Sequence, residues 1–213
     1  MARIFAQAGM RVALAARNPA KLAGLAKDLN AEAFACDASK PAQVAQLFTS
    51  ADAYFGGAPD VVVYNPSARV RGSIVDIEPD AVADAIAITA YGGFLVAQQA
   101  AKRMVPRGSG AILFTGASAS VKGYPLSASF AMGKFALRGL AQSIARELAP
   151  KGVHVAHFVI DGGIRSAARP VPADAPDSLL DPDAIAQTYL QVLAQDRSAW
   201  TWEIELRPWV EKF

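Results

Sequence analysis

Apolar positions in this chain fall in short unbroken runs separated by longer stretches of helical period. Residues 11–16 (RVALAA), 33–36 (AFAC), 60–64 (DVVVY), 111–115 (AILFT) and 153–160 (VHVAHFVI) are the runs. They lack polar alternation, which predicts strands covered by helices on both faces. Between the first two, Asn18 can cap a helix whose first position is Pro19, and Leu22, Leu25 and Leu29 then share one face at i, i+3 and i+7. Pro41 opens a second helix with Val44, Leu47 and Phe48 inward. Two longer helices are predicted over about 79–104 and 127–149, the latter stopped by Pro150-Lys151-Gly152. Residues 166–182, rich in Pro, Ala and Asp, predict a mobile loop before a last helix (182–195) and a closing strand (200–206, WTWEIEL).

The order is βαβα throughout. It implies an α/β fold with a single doubly wound, mostly parallel sheet over residues 1–213, right-handed crossovers, and ligands at the carboxyl ends of the strands. At 213 residues with 53% hydrophobic content the chain can build a substantial core, which excludes disorder. A net charge of +2, scattered along the chain, predicts no nucleic-acid partner. The single Cys36 excludes an internal disulfide framework and a Cys-rich zinc site and fits a reducing compartment, so a cytoplasmic protein is expected. The most apolar stretch, 85–101, is interrupted by Thr89, Tyr91, Gly92, Gly93, Gln98 and Gln99 and reads as a buried helix, without membrane association. Residues Arg3, Gln7 and Arg11 leave no apolar core of the kind a secretory signal needs. His154 and His157 lie three apart on one strand and face opposite sides, so they form no metal pair and read as structural.

Four landmarks carry chemistry. Asp37 follows the second visible strand, Tyr64-Asn65-Pro66-Ser67 the third, Phe130-Ala131-Met132-Gly133-Lys134 lies on the long helix, and Asp161-Gly162-Gly163-Ile164 follows the VHVAHFVI strand. In order, spacing and element type they resemble the short-chain dehydrogenase/reductase family over nearly the whole chain. That resemblance implies a Rossmann-like fold and an NADP(H)-linked oxidoreductase moving hydride between the cofactor and a small-molecule carbonyl or alcohol. It casts Lys134 as the lysine that holds the nicotinamide ribose and tunes a neighbouring phenol. The phenol's own position holds Phe130, which has no proton to exchange. The family serine falls on Ala117 by spacing, or on Ser118 if the loop is one residue shorter, and the family's helical asparagine falls on Thr89.

These departures imply impaired catalysis, or alternatively a non-catalytic nucleotide-binding or scaffold subunit. A replacement acid would come from Ser118, Tyr124, Tyr91 or a water held by Lys134. On the cofactor side the resemblance gives Arg17 a 2′-phosphate, favouring NADP over NAD, gives Asp37 the adenine, and places Asn65, Lys134 and Ile164 along the ribose and nicotinamide. Family members need a first strand and a TGxxxGxG loop before the helix that residues 1–5 resemble. The expectation is therefore a start that lies upstream, weakened cofactor binding in the chain as given, and an unfilled slot at the centre of the sheet. A homodimer packed through the two long helices, or a homotetramer formed through the last helix and strand, is also implied.

Overall fold

The computed structural model describes residues 1–211. Its elements run α1 (Ala2–Gln7), β1 (Ala13–Ala16), α2 (Ala23–Leu29), β2 (Glu32–Ala35), α3 (Pro41–Phe55), β3 (Val61–Tyr64), α4 (Pro79–Ile86), α5 (Gly92–Arg107), β4 (Gly110–Thr115), α6 (Ala128–Leu148), β5 (Val153–Ile160), β6 (Gly163–Ile164), β7 (Leu179–Leu180), α7 (Pro182–Leu193) and β8 (Glu203–Leu206). The Asn18 side chain accepts from Ala20 N–H at 3.1 Å, but the turn it opens, Pro19–Leu22, is a 3₁₀ turn that leads into α2. A π-helical turn, Ala87–Tyr91, joins α4 to α5, so 79–107 is one nearly continuous rod. That rod is long and apolar enough to cross a membrane by composition. In the fold Ala85, Thr89, Val96, Ala100 and Met104 on it are buried.

All strand pairs in the main sheet are parallel, in the order β3-β4-β5-β8. β1 and β2 form a separate parallel pair, and no ladder joins β1 to β3. The hydrogen bonding is thus interrupted between the β1–β2 pair and the four-stranded sheet. Residues 166–182 are less irregular than their composition suggests: Leu179–Leu180 pairs in parallel with Gly163–Ile164, and Ser166 bridges Arg169. The apolar runs divide by parity, as a strand buried on both faces requires. Tyr64, Ile112, Phe114, Val153 and Val155 pack with Val44, Phe48, Val96 and Leu137 on one face. Leu113, Ala156, Phe158 and Ile160 pack with Phe5, Ile185, Tyr189 and Val192 on the other.

The two histidines do occupy opposite faces. His154 stacks on Trp200 at 4.6 Å and 3° and bonds Thr201 O at 2.8 Å. His157 is fully buried on the α6 face, with Nδ1 3.0 Å from Glu203 Oε2 on β8 and Nε2 3.4 Å from Ser120 Oγ. Glu203 in turn receives two bonds from Arg138 of α6, Nε at 2.6 Å and Nη2 at 2.7 Å. With the carboxylate facing Nδ1, the neutral ring carries its proton there and accepts from Ser120 at Nε2. Ser120 Oγ itself accepts from Ala117 N–H at 3.1 Å. The chain of bonds thus runs from a helix, through the sheet edge, to the turn after β4. Gly116 sits where this turn meets β5, and a Cβ there would run into the His157 ring.

Burial holds the His157 imidazole neutral, pushed down to about 4 against the pull of Glu203 and with the charges of Lys134 and Arg138 acting in the same direction as burial. Burial would raise the Glu203 carboxyl, but the bonds and charge of Arg138, with His157, outweigh it and hold Glu203 below its usual range. As pH falls below about 6.5, the unfolded chain takes up a proton at His157 that the folded one refuses until about 4. Stability is therefore expected to drop by roughly 3 kcal/mol across that window from this group alone. Urea unfolding from pH 7 to pH 4 should show that slope in the wild type and a visibly flatter one in His157→Gln; parallel curves would refute it.

Candidate active site

The site forms at the carboxyl end of β4, where α6 crosses the sheet. Lys134 is 2% exposed, and its Nζ donates to Thr115 O at 2.6 Å. Thr115 is held from the other face of the sheet by a 2.8 Å bond between its hydroxyl and that of Tyr189 on α7. Burial pushes the Lys134 ammonium down to about 8. Its hydrogen bond goes to a neutral carbonyl, and no ion pair to it occurs among the described residues.

Phe130, one helical turn earlier, is half-buried with its ring centroid 5.9 Å from Lys134 Nζ. The ring also lies under the guanidinium of Arg69, at 5.3 Å. Ser118 opens the 3₁₀ turn Ser118–Ser120, which packs against α6 and β5, and its half-buried hydroxyl makes no hydrogen bond among the described residues. Ser120, two residues on, is the one drawn into the buried His157 network. Thr89 lies on the π-helical turn, fully buried, and its Oγ1 accepts from Ala68 N–H at 3.0 Å. The close approach of that turn to α6 needs Gly133, since a Cβ there would come within 2.9 Å of the Thr89 Cβ. Tyr91 and Tyr124, weighed as alternative acids, are both exposed, and Tyr91 stacks on Phe94 at 6.2 Å.

The remaining sequence candidates line the carboxyl ends of β1, β2 and β3 and the segment after β5. Arg17, immediately after β1, is exposed and makes no hydrogen bond among the described residues. Asp37 uses one carboxylate oxygen on Ser39, accepting from N–H at 3.0 Å and from the hydroxyl at 2.7 Å. Those bonds come first in holding its carboxyl below the usual value, and Lys40 and Arg17 add to the effect. Asn65 is exposed directly after β3, and Ile164 is 38% exposed on β6. Asp161 is buried and paired with Lys122 at 3.0 Å.

A separate cleft of about 350 Å³, lined by residues including Val61, Ala111, His154 and Trp200, lies at the amino ends of the strands, away from Lys134. In parallel α/β sheets the carboxyl ends carry the ligands, so chemistry places the site at Thr115 and Lys134 rather than in that cleft. Sequence reasoning did not single out Arg69, Ser127, Ser129 or Glu203. None sits in a recognisable motif, and each acquires its role from a partner distant in sequence, such as Arg69 with Ser127, 58 residues apart.

Comparison with known proteins agrees with this architecture. Residues 1–198 match the family model described as enoyl-(acyl carrier protein) reductase. An uncharacterized oxidoreductase of Staphylococcus aureus (strain N315) is 28% identical over 217 residues, covering 98% of this chain and 90% of that protein. A short-chain dehydrogenase from Rhodopseudomonas palustris superposes with a TM-score of 0.83 at 36% identity, covering 98% of this chain and 91% of that one. A metagenomic short-chain oxidoreductase in complex with NADP has the same fold, with a TM-score of 0.83 at 24% identity over 99% of this chain and 90% of that one. With its parallel sheet flanked by helices and a family match over most of its length, the chain belongs to the short-chain dehydrogenase/reductase family.

Proposed function

We propose that the protein is an NADP(H)-linked oxidoreductase acting on a carbonyl or alcohol, with catalysis slowed by the missing phenol. The observation that carries this reading is the buried Lys134 ammonium, held on Thr115 O with no carboxylate partner among the described residues. A buried cation left without a counter-ion is costly unless a polar ligand completes its bonding. Lys134 has N–H groups to spare beyond its bond to Thr115, a donor set suited to the two hydroxyls of a ribose. Arg17, unbonded at the end of β1, suits a 2′-phosphate, and Asp37 beside it suits the adenine end; Asn65 and Ile164 complete the nicotinamide side. NADP(H), when bound, supplies or accepts the hydride at nicotinamide C4.

In the reducing direction the carbonyl carbon gains the hydride, the C=O electron pair moves to oxygen, and that oxygen needs a proton. Phe130 cannot give one, so the proton comes from Lys134, directly or through a water, while the Ser118 hydroxyl donates a hydrogen bond to the carbonyl oxygen. Burial favours this role because it brings the ammonium down to about 8, close to neutral pH. The Phe130 ring forms an apolar wall that keeps water from the reacting carbon.

The alternative, a subunit that binds nucleotide or serves as a scaffold without turnover, is favoured by Phe130 and by Thr89, whose hydroxyl is spent on Ala68. A second copy of the chain is the expected partner. α5 and α6 leave Phe94, Met132 and Phe135 between 42% and 53% exposed, and Tyr91 just before α5 is also exposed. Apolar side chains of this size on adjacent helices fit a helix-packed dimer.

NADPH oxidation with a panel of aldehydes, ketones and quinones should be slow in the wild type and lost in Lys134→Met. Phe130→Tyr should gain about 10²–10⁴-fold in kcat/KM. Because the ammonium is the proton donor, the wild-type rate of reduction should fall as pH rises through about 8. Background turnover in the wild type, with NADPH binding retained by calorimetry, would select the non-catalytic reading. For the assembly, light scattering should give at least the dimer mass; a monomer would overturn that part.

A further inference from the structure

Three consecutive residues in the loop after β3 are clamped by three buried hydroxyls. Ala68 N–H donates to Thr89 Oγ1 at 3.0 Å, and Arg69 Nη2 donates to Ser127 Oγ at 2.8 Å. Val70 N–H donates to Ser129 Oγ at 3.2 Å, and that hydroxyl donates back to Val70 O at 2.8 Å. Thr89, Ser127 and Ser129 are each 1% exposed or less. A loop arginine on a protein surface normally keeps most of its rotamer freedom. Here the backbone is fixed on either side of Arg69 and its head is fixed by Ser127, so the guanidinium is delivered to one place.

That place is the face of Phe130, at 5.3 Å, on a ring that Lys134 Nζ approaches to 5.9 Å. Two cations thus share one aromatic ring at the centre of the site. Neither forms an ion pair among the described residues, whereas Lys122 and Arg165, on the loops nearby, are paired with Asp161 and Asp181. The ring attracts each cation, but the cations repel one another, and an anion placed between them relieves the repulsion. Phe130 bears on this directly: a tyrosinate there would cancel one of the two charges, while a phenyl ring cancels neither. Arg69 spends one Nη on Ser127 and keeps the rest of its planar fork, which matches a carboxylate.

We propose that Arg69 receives a carboxylate of the substrate, so that the site takes oxo acids and hydroxy acids; this deepens the hydride-transfer reading above and rests on it. The carbonyl or hydroxyl of such a substrate then lies between Arg69 and Lys134, over the edge of Phe130. Arg69 is a specificity residue in this arrangement, and Ser127 a positioning residue that acts through it.

Binding rather than turnover tests it, so that an inactive protein still answers. 2-Oxobutanoate and 2-oxobutanamide, which share size and differ in charge, are titrated calorimetrically into the protein in saturating NADP⁺, and again without it. The wild type should bind the acid at least tenfold tighter than the amide. Arg69→Met should weaken the acid by about 10- to 100-fold and collapse the preference, the scale of a lost charge-assisted pair. Arg69→Lys should keep part of it, and Ser127→Ala should weaken the acid by a smaller factor than Arg69→Met. Equal affinity for acid and amide in the wild type, no saturable binding of either, or an unchanged preference in Arg69→Met would each overturn the proposal. Absent NADPH oxidation would count against the hydride-transfer reading alone, since carboxylate binding at Arg69 is measured without it.

Discussion

The parallel ladder between β4 and β5 is the constraint on which the rest of the molecule depends. Its register sets Phe114 beside His157 and Thr115 beside Phe158. Gly116 N–H then donates to Phe158 O at 2.7 Å, which carries the chain into the tight turn holding Ser118 and Ser120. The same register exposes Thr115 O to Lys134 and points the Thr115 hydroxyl at Tyr189 on the opposite face. A slip of one residue would exchange the two faces, removing His157 from Glu203 and Lys134 from its carbonyl at once. The cores on both faces make such a slip prohibitively costly, because β5 is buried along its whole length.

Around that ladder the polar groups sort into two sets. Arg138, Glu203, His157 and Ser120 form a closed chain in which each group has a partner, and it acts as a brace between α6, β8 and the turn after β4. Its seclusion distinguishes it from a hydrolytic triad of similar composition: Ser120 and His157 are both fully buried, so no substrate reaches the hydroxyl. Lys134, Arg69 and Ser118 form an open set, with donors left over and no carboxylate among them. The contrast between satisfied and unsatisfied polar groups, more than any single residue, locates the chemistry. Phe130 stands in the open set as a ring that offers two cations a surface and offers a substrate no proton.

Much of this was legible in the chain itself. Residues 153–160 were read to the residue because an apolar run between a glycine turn and Asp161 has one way to fold. The cap at Asn18 and the inward face of α3 followed from spacing alone. Strand ends elsewhere moved by one to three positions, as at Glu32–Ala35 and Glu203–Leu206, since a strand's limits are set by its register with the neighbouring strand and not by its own composition. The order of landmarks around Lys134 was equally plain, as was the absence of a phenol at position 130.

What only the tertiary structure decided are the partnerships between residues with no local pattern. Nothing near Arg69 announces Ser127, and nothing near His157 announces Glu203, 46 residues away. Leu179–Leu180, inside a stretch whose composition reads as loop, becomes a strand because Gly163–Ile164 offers it an edge. Short-range propensity and periodicity determined the elements and their order, because backbone sterics and burial act within a few residues. Which side chains meet at the carboxyl end of β4 was decided by packing across the sheet, since a charge or a hydroxyl becomes a site only when the fold buries it beside a particular neighbour.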